Sequence, residues 1–141
     1  MVRSQPALET SEQIEQVARV CHETIRAYSR TLGDTSLLGW ENAPEYQKES
    51  SRSGVRTYFE QYAAGIDPSP RAMHEAWLAE RKAGGWKHGK TKNHETKEHP
   101  SFVPYEDLPI QERMKDYLFA AVCKAFCAAV SREVRHQPAS K

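Results

Sequence analysis

Apolar residues recur at helical spacing in the first part of the chain and predict a long opening helix. From Ile14 to Leu32 they stand three or four positions apart, so they share one face of a helix. Thr10, with Gln13 three residues later, is typical of an N-terminal cap. Gly33 is the residue type at which helices commonly end. The first helix is therefore predicted between Thr10 and Gly33.

Prolines mark the start of two further helices. Pro44 suits the first turn of a second helix that reaches about Ala64. Gly54 in its interior costs about 1 kcal/mol relative to alanine, so we expect another helix to approach closely at this point. Pro70, preceded by a serine cap, begins a third helix that ends near Ala83.

The last helix is predicted to begin at Pro109 and to present the broadest apolar face of the chain. Between the third and last helices, residues 84–107 carry histidines, lysines and short apolar patches, which indicates irregular backbone with a basic loop. At most, this segment is predicted to form a short β-hairpin between residues 86–88 and residues 102–105.

These elements predict one mainly α-helical domain of about four helices. A chain of 141 residues is the length of a single domain with a modest core. We expect the domain to occupy residues 10–135, with a disordered arm at residues 1–9 and a disordered tail at residues 136–141.

The composition is that of a soluble globular protein, with 38% hydrophobic and 28% charged residues. A formal net charge of +1 gives no overall attraction to nucleic acid or to a membrane surface, so neither is an expected partner. No apolar run approaches the roughly 18 to 20 residues that a spanning helix needs, and the N-terminus lacks the pattern of a signal peptide. The three cysteines lie in apolar helical patterns, which favours the cytoplasm over a disulfide-bonded, secreted protein.

The candidate chemistry is concentrated between the third helix and the start of the last one. Trp77 and Arg81 stand four residues apart, so an indole and a guanidinium share one helix face and could together hold a flat anionic ligand. Trp86, which follows two glycines, is expected to close the third helix onto the last one. The basic side chains that could hold a phosphorylated ligand are Arg81, Lys87, Lys90, Lys92, Lys97 and Lys115. For the loop lysines the alternative is a solvated basic surface.

Other chemistries find less support in the spacing. The histidines of the basic loop lie five and six residues apart without a paired CxxC or an HExxH motif, so we expect no metal. No phosphate-binding glycine loop and no nucleophile elbow occur, and no cofactor is expected. A hydrolytic site that uses His74 with Glu75 or Glu80 stays open as an alternative.

The same stretch resembles the RyR repeat domain, a module found in tandem in ryanodine receptors and as single copies in bacterial and phage proteins. The resemblance runs roughly from Val17 to Val122, with Tyr46 where a tryptophan is more usual and His88 where a tyrosine is more usual. The residues that carry it are His74, Glu75, Trp77, Leu78, Gly85, Trp86, Gly89, Lys97, His99, Pro100, Val103, Pro104, Tyr105, Leu108, Pro109, Lys115, Asp116, Leu118 and Phe119.

In ryanodine receptors two repeats pair about a pseudo-twofold axis, and the resemblance implies an adenine-nucleotide site between them. On this chain it implies that Trp77 stacks on the base, that Arg81 is the neighbouring cation and that Asp116 is the polar residue that contacts the base. A single-copy protein would reproduce such a site by pairing with itself, so we expect a homodimer with the ligand at or near its interface. The other candidate ligand-binding residues are Trp40, His74, Trp86, Lys97, His99, Tyr105 and Lys115.

The sequence therefore leads to a functional hypothesis, which is non-catalytic binding of a nucleotide-derived small molecule. By analogy with prokaryotic RyR domains, the protein would act in the cytoplasm, or in the host cytoplasm if phage-encoded, as a sensor or as a sponge for an antiphage signal. Lys97, His99 and Pro100 are expected to order the basic loop. Two alternatives remain, a nucleotide-processing hydrolase that uses His74, Glu75 or His99, and a protein-interaction module without a small ligand.

Overall fold

A computed structural model describes the backbone of residues 10–136 and the side chains of residues 10–130. The predicted arm at residues 1–9 and residues 137–141 of the predicted tail lie outside the described residues. The described part contains the helices and strands α1 (Ser11–Thr31), α2 (Glu45–Ala63), α3 (Pro70–Ala83), β1 (Lys87–His88), β2 (Glu98–His99) and α4 (Ile110–His136). It also has short 3-10 turns at Trp40–Asn42 and Tyr105–Asp107. The predicted mainly α-helical fold with four helices is confirmed.

Local capping fixes the ends of α1 where the sequence predicts them. The hydroxyl of Thr10 accepts a hydrogen bond from the backbone N–H of Gln13 at 3.2 Å. At the other end Gly33 has a φ of +85°, a left-handed conformation that glycine adopts without strain. The backbone N–H of Asp34 donates back to the carbonyl of Ser29, which completes a Schellman motif.

The core forms where α1, α2 and α4 pack together. The largest fully buried side chain is Tyr58 of α2. An added Cβ at Gly54 would lie 2.8 Å from the Phe119 ring of α4, which confirms the predicted close approach of two helices. Cys21 of α1 meets Cys123 of α4 with their sulfur atoms 4.0 Å apart. The hydrogen bond between these two thiols, together with burial, raises the pKa of Cys123, so its thiol acts as a small core residue.

The strand pairing differs from the predicted hairpin. Residues 87–88 pair with residues 98–99, not with residues 102–105, and the two strands are parallel. Pro100 ends β2 because it has no N–H to donate to the ladder, and residues 102–105 enter turns that lead to α4. An added Cβ on Gly89 would lie 2.5 Å from the Cβ of Glu98, so the pairing requires glycine at this position.

Trp86 also has different partners from those predicted. Its ring lies 6.3 Å from the ring of Tyr46 on α2 and 5.9 Å from that of His94 in the basic loop, centroid to centroid. These contacts lie on α2 and on the loop, not on the last helix. Over residues 10–136, no helix has both the length and the apolar character needed to cross a membrane.

Candidate functional site

A cavity of about 430 Å³ lies inside the fold, where side chains of all four helices meet the segment between α3 and α4. Its volume is within the range of small-molecule sites in proteins. The sequence-predicted residues that line it are His74, Trp77, Arg81, Trp86, His99, Lys115 and Asp116. The fold therefore gathers seven of the ten candidate residues around one space.

Arg81 places a cation within an aromatic frame at this cavity. Its guanidinium carbon lies 4.9 Å from the ring centroid of Trp86 and 5.6 Å from those of Trp77 and Tyr46. The side chain is only 12% exposed, and its Nε lies 3.9 Å from the carboxylate of Glu80. Among the described residues, that Nε has no hydrogen-bond partner. The charge is thus held by cation–π contacts and not by a close carboxylate.

This environment leaves part of the hydrogen-bonding capacity of Arg81 unused. Burial lowers the pKa of Arg81, but arginine keeps its proton because its ordinary pKa lies above about 12. A desolvated cation whose ion pair, with Glu80 at 3.9 Å, is too long for a hydrogen bond is costly to the folded state. An anionic group in the cavity would supply the missing partner through charge-assisted hydrogen bonds.

Trp77 forms the neighbouring aromatic wall. Its ring lies 5.6 Å from the ring of His74, which is nearly parallel to it, and 5.0 Å from the ring of His99, which meets it edge-on. Phe102 packs at 6.3 Å. Trp77 is half-buried and lines the cavity. The indole is therefore held in position by its neighbours, as a stacking surface for a flat ligand needs to be.

Tyr46 and His94 line the cavity although neither was among the candidates. Their rings stack at a centroid distance of 4.0 Å with an interplanar angle of 9°, and Tyr46 also contacts the guanidinium of Arg81. His94 is exposed and belongs to the basic loop. The available signal was the aromatic position at Tyr46 in the family pattern, but no spacing rule links residue 46 to residue 94.

His99 is a neutral ring fixed by its own loop. Burial, with smaller effects of Lys92 and Arg81, lowers its pKa to about 3. Its Nδ1 accepts a hydrogen bond from the backbone N–H of Ser101 at 3.0 Å, so the ring proton of the neutral form is on Nε2. The expected role of His99 in ordering the loop fits this hydrogen bond.

Asp116 lies opposite, on α4, with an unusual affinity for its proton. Burial and the charge of Glu112 raise its pKa to about 7, against a smaller opposing effect of Lys115. Lys115 is bound to Glu112 at 3.0 Å and not to Asp116. The Nδ1 of His74 lies 3.6 Å from Asp116, beyond hydrogen-bond distance. The Nε2 of His74 instead donates to the carbonyl of Val103 at 2.8 Å.

Three candidate residues lie away from the cavity. Trp40 is 5% exposed in the core, because its aromatic surface is covered by α1 and α2. The Nζ of Lys97 donates to the carbonyl of Gly84 at 2.8 Å, so it caps the C-terminal end of α3. Tyr105 lines a separate groove on the other side of α3, where Arg71 lies over its ring at 5.0 Å.

The described structure brings the residues of the alternative chemistries together only in part. Within the part of the chain that the structure describes, no three histidine, cysteine or acidic side chains are grouped so that they could hold a metal ion. Glu75 is exposed and lines the groove beside Tyr105, while His74 is buried at the cavity. His74 and Glu75 therefore face different spaces, whereas Glu80, the other acidic residue of that hypothesis, lines the cavity together with His74.

The fold and the site define a small helical domain with an internal cavity of aromatic and charged side chains. The RyR domain model matches residues 60–134, more than half of the 141 residues, and the protein belongs to the RyR domain family. The match begins near the end of α2, so the resemblance expected from Val17 onward is confirmed for the later part only. No curated protein matches the chain.

Proposed function

We propose that this protein binds a nucleotide-derived small molecule in the cavity without transforming it. The observation that carries the proposal is Arg81, a buried cation whose Nε has no hydrogen-bond partner among the described residues. Three aromatic rings frame its guanidinium at the edge of a cavity of suitable size. Flat aromatic surfaces and a cation that can hold an anion are together the complement of a nucleotide, which joins a planar base to a phosphate.

Each part of the ligand then has a partner. The base stacks on Trp77, an acidic group of the ligand reaches Arg81, and Asp116 contacts a ring or exocyclic nitrogen. Lys115 and Lys92, which also line the cavity, add positive charge near the acidic group. The carboxylates paired with Lys115 and Lys92 lie at 3.0 and 3.5 Å, closer than the 3.9 Å between Arg81 and Glu80, so Arg81 is the stronger candidate for the principal anion contact.

Binding without turnover is favoured over hydrolysis by the hydrogen bonding of His99. In His99, the nitrogen that could act as a base accepts a backbone hydrogen bond. A general base needs a free lone pair within reach of the proton that it removes. The protein would act in the cytoplasm as a sensor or as a sponge.

A homodimer remains part of the proposal, and an apolar surface supports it. Ile110, Met114 and Tyr117 are 70%, 38% and 58% exposed and form one stripe on α4. We name these three residues the apolar stripe. It lies on the side of α4 away from Asp116, because residues three and four apart share a face. In this arrangement each protomer keeps its own complete cavity beside the shared interface.

The direct test is calorimetry and thermal denaturation with a panel of nucleotides. A ligand at 100 times its dissociation constant stabilises the folded state by about 2.7 kcal/mol. Arg81→Met should abolish the stabilisation, while Lys82→Met, which removes an exposed charge one residue away, should retain it. The bound nucleotide should be recovered intact after incubation with excess protein. Recovery of a converted product would favour the hydrolase, and no stabilisation by any nucleotide would favour the protein-interaction module.

A further inference from the structure

The carboxyl of Asp116 faces the cavity without a hydrogen-bond donor within bonding distance among the described residues. Lys115, one residue before it, is engaged by Glu112. His74 holds its Nε2 proton on the carbonyl of Val103, so in the neutral ring the Nδ1 that faces Asp116 carries a lone pair. If Asp116 is ionised and the ring of His74 is neutral, two groups that only accept hydrogen bonds thus face each other at 3.6 Å.

The other charged and titratable groups around Asp116 do not, on balance, favour its ionised form. Glu112 lies one helical turn away on the same face of α4 and adds a like charge. His99 is kept neutral. From α1, His22 is turned toward the carbonyl of Leu38, at 2.7 Å from its Nε2. The cation of Arg81 is framed by its aromatic neighbours. The net effect favours a proton on Asp116, whose side chain is 19% exposed.

We propose that Asp116 binds the ligand as a neutral carboxyl group and selects a heterocycle that presents an acceptor nitrogen beside a donor amine, as adenine does. The inference rests on the proposed function and assigns the property by which that same site chooses its ligand. The raised pKa of about 7 supports it, because the neutral form is then well populated near neutral pH.

The proton changes which bases the site accepts. A neutral carboxyl group has one O–H donor and one carbonyl acceptor, so it forms two parallel hydrogen bonds with the N1 and the amine of adenine. An ionised carboxylate has acceptors only and matches the two adjacent donors of guanine. Binding of an adenine-type ligand therefore takes up a proton when Asp116 is ionised in the free protein, and its affinity falls as the pH rises through about 7.

The test is calorimetry with 3′,5′-cyclic AMP and 3′,5′-cyclic GMP at pH 6, 7 and 8. Both probes are phosphodiesters, which avoids the phosphate titration near pH 6 of a monoester. For the wild type, the affinity for cyclic AMP should fall about tenfold between pH 6 and pH 8, since one unit above the midpoint about a tenth of the carboxyl remains protonated. Cyclic GMP should bind more weakly than cyclic AMP at pH 6, and the difference should narrow at pH 8.

Asp116→Asn is the matched variant, because its amide keeps one donor and one acceptor at every pH. It should hold the affinity of the wild type at pH 6 to within about threefold and lose the pH dependence. Asp116→Ala should bind weakly throughout.

Three results would overturn the inference, and they have two different consequences. If Asp116→Asn binds as weakly as Asp116→Ala, or if the affinity of the wild type for cyclic AMP rises with pH, the ligand is bound by a carboxylate. In that case the proposed function stands and only the protonation state is wrong. If neither cyclic nucleotide binds the wild type at any of the three pH values, both proposals fail for this class of ligand.

Discussion

In the cavity, the charged forms of Arg81 and Asp116 are less favourable than they would be in water. Arg81 is a buried cation whose pKa is lowered by desolvation, and Asp116 is a buried carboxyl whose pKa is raised by it. They lie in the same cavity without pairing with each other. Perturbed groups of this kind are common at functional sites, because a ligand can supply the partners that the fold withholds.

Asp116 should make stability depend on pH in a specific direction. Its pKa is about 7 in the folded protein and 3.8 as the ordinary value, so the folded state binds more protons between these limits and loses stability as the pH rises through them. Asp116→Asn should therefore raise the free energy of unfolding at pH 8, by at most about 4 kcal/mol at 1.36 kcal/mol per pKa unit. At pH 5 the gain should be smaller, about 1.6 kcal/mol, because only the interval from 3.8 to 5 then contributes. Urea denaturation at the two pH values measures the difference.

Asp34 is the control for this prediction because its shift has the opposite sign. Hydrogen bonds from Ser36 lower the pKa of Asp34 to about 2, so the charged form is the one that stabilises the fold. Asp34→Asn should reduce stability at pH 8. If Asp116→Asn had the same effect at pH 5 and pH 8, its carboxyl would not titrate between them.

Alanine substitutions should distinguish the role of Trp77 in binding from the role of Trp86. Trp77→Ala is expected to weaken nucleotide binding by roughly 5- to 150-fold, from the about 1–3 kcal/mol that base stacking contributes. A large aromatic that served only the core would instead cost about 3–5 kcal/mol of stability. The measurements are the melting temperature without ligand and the affinity by calorimetry. If Trp77→Ala unfolds the free protein and Trp86→Ala mainly loses the ligand, the two roles are reversed.

At the scale of the elements, helix boundaries were predictable because their signals are local. The cap at Thr10, the glycine at Gly33 and the proline at Pro70 each act within one helical turn, and each marks a helix end in the structure. The strand pairing was not predictable in this way. A parallel pair needs a connection that turns the chain back over itself, and the sequence of β1 and β2 contains only two residues each.

The contact between α2 and α4 gives a prediction at this scale. Gly54→Ala should destabilise the protein by about 1–3 kcal/mol, because the added methyl would lie 2.8 Å from the Phe119 ring and the packed core has little room to move. Chemical denaturation measures the loss. Phe119→Leu in the same chain is the control, since a smaller side chain should recover part of the stability in the double variant. An unchanged midpoint for Gly54→Ala would mean that the helices separate without cost.

At the scale of the whole molecule, the sequence predicted cavity residues on α3 and α4 but none on α2. The residues of α3 and α4 were accessible through helical spacing and through the family resemblance. Tyr46 of α2 and His94 of the basic loop were not, because only the folded chain brings them within 4.0 Å of each other. Trp40 and Tyr105 were included as aromatic residues, and composition does not distinguish a core aromatic from a cavity aromatic.

The apolar stripe predicts self-association of the whole chain. Sedimentation at micromolar concentration should show twice the mass of the 16.1 kDa chain, and Tyr117→Glu should convert it to a monomer by placing a charge in the interface. Ile66→Glu is the matched control, because Ile66 is 53% exposed but does not belong to α4. A stable wild-type monomer in the presence of ligand would contradict the prediction.

The match to the RyR family covers residues 60–134, whereas Tyr46 and Ser50 line the cavity from outside that segment. The segment that matches the family and the residues that line the cavity are therefore partly separate parts of the sequence. Substitutions on the cavity face of α2 could change what is bound while the matched segment stays intact. Proteins that match the family over the segment equivalent to residues 60–134 would then share an architecture but could bind different ligands. Differences in the sequence of α2 would be the first place to look for this divergence.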